Sequence, residues 1–241
     1  MGLKMPIVLA FSVYKREEDM VKNLSFNNKS LTIKSFMALI AVMVFSFINR
    51  STLIAQDIDY HFGVRAGVGM STLTGFQNNG LKLGLTAGGF AKFIFDENNS
   101  IDAELSYSTG GQQSQQWVDN NEAQVKVYSK YNLHYLNLPI LYQYYFTDIL
   151  GLEGGLNFRY CMSGSLKAKV GNESWHSVDF STDSYNRFDM GLIMGVYTEN
   201  FIPSDHFVVS LRAYFGFIDV VKYVGNNKNV SVQVSVGYTF K

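Results

Sequence analysis

Residues 229–241 read Asn-Val-Ser-Val-Gln-Val-Ser-Val-Gly-Tyr-Thr-Phe-Lys, a near-strict alternation between two kinds of side chain. In an extended strand Val230, Val232, Val234, Val236, Tyr238 and Phe240 share one face, and Ser231, Gln233, Ser235, Gly237 and Thr239 share the other. One face needs hydrocarbon against it and the other does not. Such a strand is the building unit of a barrel, either soluble with its oil inside or embedded in a membrane with its oil outside.

The device recurs at about 61–70, 81–95, 100–109, 131–146, 150–162, 185–198 and 206–217, each close to the roughly 9 to 11 residues of a tilted membrane strand. In the stretch over 131–146, Leu136, Leu138, Ile140, Tyr142, Tyr144 and Phe146 follow an earlier Leu133 and Tyr135 of opposite parity. That change predicts a bulge near Tyr135 and puts Pro139 on the other face. The connectors alternate in length. Those at 96–99, 147–149 and 199–205 are short, those at 71–80 and 218–228 medium, and those at 110–130 and 163–184 long. Bacterial barrels pair short periplasmic turns with longer external loops, so a periplasmic N-terminus puts every longer connector outside.

Composition narrows the choice. Charged residues are 17% of the chain, against about 25% in typical soluble domains. Twenty basic and twenty acidic residues cancel, which leaves no electrostatic footprint for nucleic acid. The single cysteine, Cys161, excludes an internal disulfide and a Cys-rich zinc site, and no metal or cofactor is expected. The uncharged run Phe36–Ile48, preceded by Lys22, Lys29 and Lys34, has the length of a signal-peptide core. We therefore expect residues 1–55 to be an export signal region cut after Ala55, with Met20 an alternative start, and residues 56–241 to be the barrel. A single-pass anchor is the competing reading of the same run.

Three features favour a membrane barrel over a lipocalin-like one. The apolar rows carry no charge, the polar rows are rich in Gly and Ser, and aromatics gather toward the row ends as interfacial girdles do. The expected fold is all-β: an eight-stranded antiparallel up-and-down transmembrane β-barrel. An interior of that size is filled by its own side chains. Arg65, Lys82, Lys92, Arg159, Arg187 and Arg212 should therefore face the lumen with Asp102, Glu104, Glu153 and Asp189 and pair as a plug.

The strand Phe62-Gly-Val-Arg-Ala-Gly-Val-Gly, the central Tyr135-Leu-Asn-Leu-Pro-Ile-Leu-Tyr-Gln-Tyr-Tyr-Phe146, Leu152-Glu-Gly-Gly-Leu, the ending Gly237-Tyr-Thr-Phe240-Lys241 and the signal ending Ala55-Gln56 together resemble the PorT-type outer-membrane β-barrel domain family of Gram-negative bacteria. The resemblance covers essentially the whole mature chain. It implies an integral outer-membrane protein surrounded by outer-membrane lipid, and some members are linked to protein secretion.

Catalytic signals are sparse. His61, His134, His176 and His206 lack metal spacing, and only His134, and His176 with Asp179 and Asp183, are placed for chemistry at an outer rim. The glycines near 63–69 and 84–89 lack the strand-to-helix context of a phosphate loop. The expectation is a non-enzymatic barrel acting through its outer loops, with Trp117 and Trp175 as candidate contacts to a protein partner or sugar. A barrel hydrolase or acyltransferase, and a secreted soluble barrel for an apolar ligand, are the alternatives. Ligand and oligomeric state stay open.

Overall fold

The computed structural model describes residues 59–75, 79–120, 123–147, 149–171, 174–178, 185–199, 206–222 and 226–240. The predicted signal, its cut after Ala55, and Asp179 and Asp183 lie outside the described residues. The strands are β1 (Asp59–Leu73), β2 (Asn79–Gly80), β3 (Lys82–Ile94), β4 (Asn99–Asn120), β5 (Ala123–Tyr145), β6 (Gly151–Val170), β7 (His176–Val178), β8 (Phe188–Thr198), β9 (Phe207–Asp219) and β10 (Lys228–Phe240). Eight of them close a ring in the order β1-β3-β4-β5-β6-β8-β9-β10, while β2 adds to β4 and β7 to β6. The ring is sealed antiparallel between β1 and β10, from Phe62 opposite Phe240 to Leu73 opposite Asn229. Closure leaves the ring without an unpaired edge, and the all-β, eight-stranded antiparallel barrel is the architecture the alternation predicts.

The pleat sorts the two rows as expected. Val232, Val234 and Leu211 are 49%, 48% and 47% exposed on the outside, whereas Arg212 and Ser235 on the opposite rows are each 1% exposed. The outward stretch of β10 from Val230 to Phe240, tilted by about 40°, spans roughly 25 Å of height, the thickness of a barrel's apolar band. Exposed Tyr60, Phe62, Phe95, Tyr142, Tyr144, Phe146, Tyr238 and Phe240 ring the near end, where the chain ends lie. Tyr107, Phe215 and Phe217 mark the far end of the band.

Several local expectations need correcting. The register between β4 and β5 runs unbroken from Asn99 opposite Tyr144 to Asn120 opposite Ala123, so most of the predicted loop 110–130 is hairpin. β6 likewise runs through Val170, into the predicted loop 163–184, and carries β7 on its edge. These extensions escaped the pattern because they project past the apolar band. There the outward face meets water instead of lipid, and the oily outward row that advertises a strand disappears.

The bulge lies at the predicted height but on the neighbouring strand. His134 faces Ser163 while Tyr135 faces Cys161, so Met162 of β6 is the extra residue. β5 keeps its parity, and Leu133 and Tyr135 point inward at 1% exposure each. Phe90, which the alternation left unassigned, also turns inward, and it fits because Gly63 faces it. A Cβ at Gly63 would lie 2.3 Å from the Phe90 ring. Tyr160 is an aromatic of the outward row but is covered: Leu136, Leu138, Phe158 and Phe188 pack around it.

Candidate functional site

The lumen is the most elaborated part of the molecule. Within it two guanidinium groups meet three carboxylates, contributed by the four strands β1, β4, β6 and β9. Arg212 of β9 holds Glu153 of β6 through two bonds, Nε to Oε1 at 2.6 Å and Nη2 to Oε2 at 2.9 Å. Its Nη1 donates to Glu104 Oε2 at 2.8 Å, and that oxygen also accepts from Arg65 Nη1 at 2.5 Å. Arg65 Nη2 reaches Asp102 Oδ2 at 2.9 Å, with Arg212 Nη2 3.7 Å from the same oxygen. The forked geometry of arginine suits such shared, bidentate pairing.

Register explains how strands that are not neighbours can meet. Glu153, Gly195 and Arg212 lie side by side on β6, β8 and β9. A Cβ at Gly195 would stand 2.4 Å from the Leu211 carbonyl and 3.1 Å from Arg212 Cα, in the path of that pair. Around the charges, Gln143 donates to Glu153 at 3.0 Å and to Asp102 at 3.4 Å, while accepting from Ser100 at 3.2 Å. Arg65 lies 4.6 Å over the Phe90 ring. All five charged residues are at most 4% exposed. Burial of this kind is tolerable only when the charges are mutually satisfied.

Not every predicted lumen charge joins this cluster. Arg159 and Asp189, opposite each other in register, form a separate level toward the far end. Arg159 donates to Asn137 at 2.9 Å and lies 4.0 Å over Tyr135 and 4.6 Å over Tyr214, whose hydroxyl donates to Asp189 at 2.8 Å. Lys92 sits at the near end, paired with Glu199 and set over the rings of Tyr145 and Tyr197. Lys82 donates to the Gly110 carbonyl at 2.5 Å near the far rim, and Arg187 donates to the Tyr160 hydroxyl at 3.2 Å on the outward side. Gln143, Ser100, Phe90 and Tyr214 complete the packing. Only their inward parity marks them in the sequence, since none is charged.

Between the five-charge cluster and the Arg159 level lies a small cavity lined by Ser106, Ser108, Thr86, Ser231 and Gln233, with about 50 Å³ for the centres of water molecules. Asn157 Oδ1 and Arg159 Nη1 have no hydrogen-bond partner among the described residues, and both residues line it, so it has room and polar partners for ordered water. Beyond that level the filling turns apolar. Leu73, Leu133, Tyr135, Cys161, Tyr185, Val220 and Val221 form one buried cluster at the far mouth. Val220 and Val221 come from the connector after β9, which folds inward and bridges Tyr185.

Outside the ring, Trp117 and Trp175 lie on the far-end extension, 65% and 39% exposed. His134 is bonded through Nδ1 to the Tyr107 hydroxyl at 2.5 Å, and His176 is exposed on β7.

A closed antiparallel ring with an apolar exterior and an ion-paired interior defines an integral membrane β-barrel. Residues 54–222 match the family described as outer membrane protein beta-barrel domain, and the chain belongs to that family and to the cell outer membrane. Among solved structures it is similar to Neisserial surface protein A (13% identity, TM-score 0.44, 74% of this chain and 97% of that one covered). It is also similar to Ail, the attachment invasion locus protein of Yersinia pestis, in complex with the heparin analogue sucrose octasulfate (13%, TM-score 0.41, 76% and 99% covered). A third is OprG of Pseudomonas aeruginosa (14%, TM-score 0.36, 78% and 99% covered). No curated protein matches the chain.

Proposed function

We propose that this protein is a non-conducting, non-enzymatic outer-membrane barrel of the PorT type whose work is done by the sheet it projects from its far, extracellular end. The observation that carries the reading is the filling of the lumen at successive levels: Lys92 with Glu199, the five-charge cluster, Arg159 with Asp189, and the apolar cluster around Leu133. An ion crossing it would have to displace paired charges and then pass a dry constriction. The extension offers the surface for a protein or other extracellular partner, with Trp117 and Trp175 on it. The leader through Ala55, and a mature barrel from Gln56, belong to the same reading. Purified mature protein should migrate with heat-dependent mobility on a denaturing gel and give no unitary conductance in planar bilayers. Stable open channels from the wild-type chain would overturn the closed lumen. Loss of a hydrolase or acyl-transfer activity on His134→Ala or His176→Ala would overturn the non-enzymatic part.

A further inference from the structure

The bulge at Met162 re-aims the charges of the far-end sheet. Below it the odd-numbered residues of β6, Glu153 and Arg159 among them, face the lumen. Above it the register against β5 has shifted by one, so Leu166 turns inward at 7% exposure and Lys167 and Lys169 emerge on the outer face. Directly opposite them stand Lys130 and Tyr128. These belong to the outward row of β5, because its pairing with β4 holds one register from the membrane band to the hairpin tip. On β4, Trp117 lies opposite Lys126 on that same face.

The result is a basic surface interleaved with aromatic rings. Lys130 Nζ lies 4.6 Å from the Trp175 ring and Lys169 Nζ 5.4 Å from it, while Lys169 and Lys126 lie 4.7 Å and 5.2 Å from Tyr128. Lys126 also sits 5.7 Å from Trp117. Among the described residues no carboxylate makes an ion pair with any of the four lysines. Lys130 and Lys167 are a cross-strand pair of like charge, an arrangement that weakens a sheet unless an anion lies between them.

We infer that this face binds the phosphorylated headgroups of glycolipids in the outer leaflet. The inference rests on the reading of the far end as extracellular. Three observations select a lipid. The lysine row continues without a register break the row that carries exposed Tyr142 and Tyr144 and half-buried Leu136 in the membrane band. Lys130 stands about 13 Å along the tilted strand beyond His134, at the level of the headgroups, and Lys126 about 26 Å along it, above them. Trp, Tyr and Lys together are the side chains that populate a membrane interface, and clustered lysines attract anionic headgroups.

Trp117 and Trp175 are the only tryptophans of the chain, so emission excited selectively at tryptophan reports on this surface. The full mature protein is placed in phosphatidylcholine nanodiscs carrying increasing bisphosphorylated lipid A, with dephosphorylated lipid A as the comparison. A saturable emission change with the phosphorylated lipid is expected. Its midpoint should move at least about tenfold in K126Q/K130Q/K167Q/K169Q and stay in place in the matching four-arginine variant. Equal responses to both lipids, or an unchanged midpoint in the glutamine variant, would overturn the inference. So would a response only to soluble heparin added to nanodiscs without lipid A, which would assign the surface to a polyanionic glycan. Should the glutamine variant fail to fold, the wild type decides: its preference for the phosphorylated lipid must fade at high salt, and a salt-independent preference overturns the proposal. Heat-dependent mobility and conductance of the same preparation test the closed barrel separately, so either idea can fail without the other.

Discussion

Within the lumen Arg212 grips Glu153 and Glu104 through directed bonds of 2.6 to 2.9 Å, whereas at the far mouth the side chains of Leu133, Tyr135 and Val220 fill the same bore chiefly by apolar packing, with one hydrogen bond from Asn229 to the Tyr135 hydroxyl at 3.3 Å. Both close the barrel, but they fail differently. An ion-paired layer is intolerant of losing one member, because the bereft charge stays buried. A greasy layer tolerates changes of shape as long as volume is kept.

Breaking that contrast requires measuring both layers in one assay, such as urea unfolding of vesicle-embedded protein. Arg212→Ala should have the largest effect, a loss of about 3 to 5 kcal/mol, because it strands Glu153 and half of Glu104. Next comes the outside wall. Val234→Arg sets a charge against mid-bilayer lipid and should cost about 2 to 4 kcal/mol. Gln233→Arg, one residue away and facing the cavity beside Arg212, should be far milder; equal effects would contradict the assignment of faces. At the far mouth Leu133→Met should cost less than about 1.5 kcal/mol, and a loss matching that of Arg212→Ala would erase the distinction between the layers.

The smallest effect is expected outside both closures. In the near-end turn the Asp96 carboxylate accepts from the Asn98 and Asn99 backbone N–H groups at 2.9 Å each and from the Asn99 side chain at 2.7 Å, and these bonds hold its pKa below the ordinary value. A carboxyl depressed in the folded state stabilises above its unfolded pKa, and that contribution disappears as pH falls through the folded one. Asp96→Ala should therefore slightly weaken the barrel at neutral pH, and weaken it progressively less in acid as the pH falls below the ordinary carboxyl value. A loss of the same size at neutral and acid pH would show that the charge has no part in the turn.

The membrane part was legible because lipid on one side and a crowded lumen on the other impose a two-residue period on every strand. Val230 to Phe240 announces its strand in that way, and the inward position of Arg65, Asp102, Glu104, Glu153 and Arg212 follows from the same period. The period weakens where one of those environments is absent. Beyond the apolar band, residues 110–120 and 123–130 are as strand-like as the rest, but their outward row carries Gln, Lys and Tyr in place of oil, and their sequence reads as loop. Leu133 and Tyr135 mislead for the opposite reason, since the apolar mouth puts oil on the inward row as well.

Alternation therefore determined the fold class and the face of nearly every membrane-spanning side chain, since each strand settles its two faces from its own residues. Which charges meet was decided only by the closed ring. The partners of Arg212 lie 59 and 108 residues away in the chain, and the height at which β4, β6 and β9 present them is set by register and closure rather than by local pattern. The one-residue slip at Met162 is of the same kind: it costs nothing visible in the sequence of β6, and it decides whether Lys167 and Lys169 face inward or out.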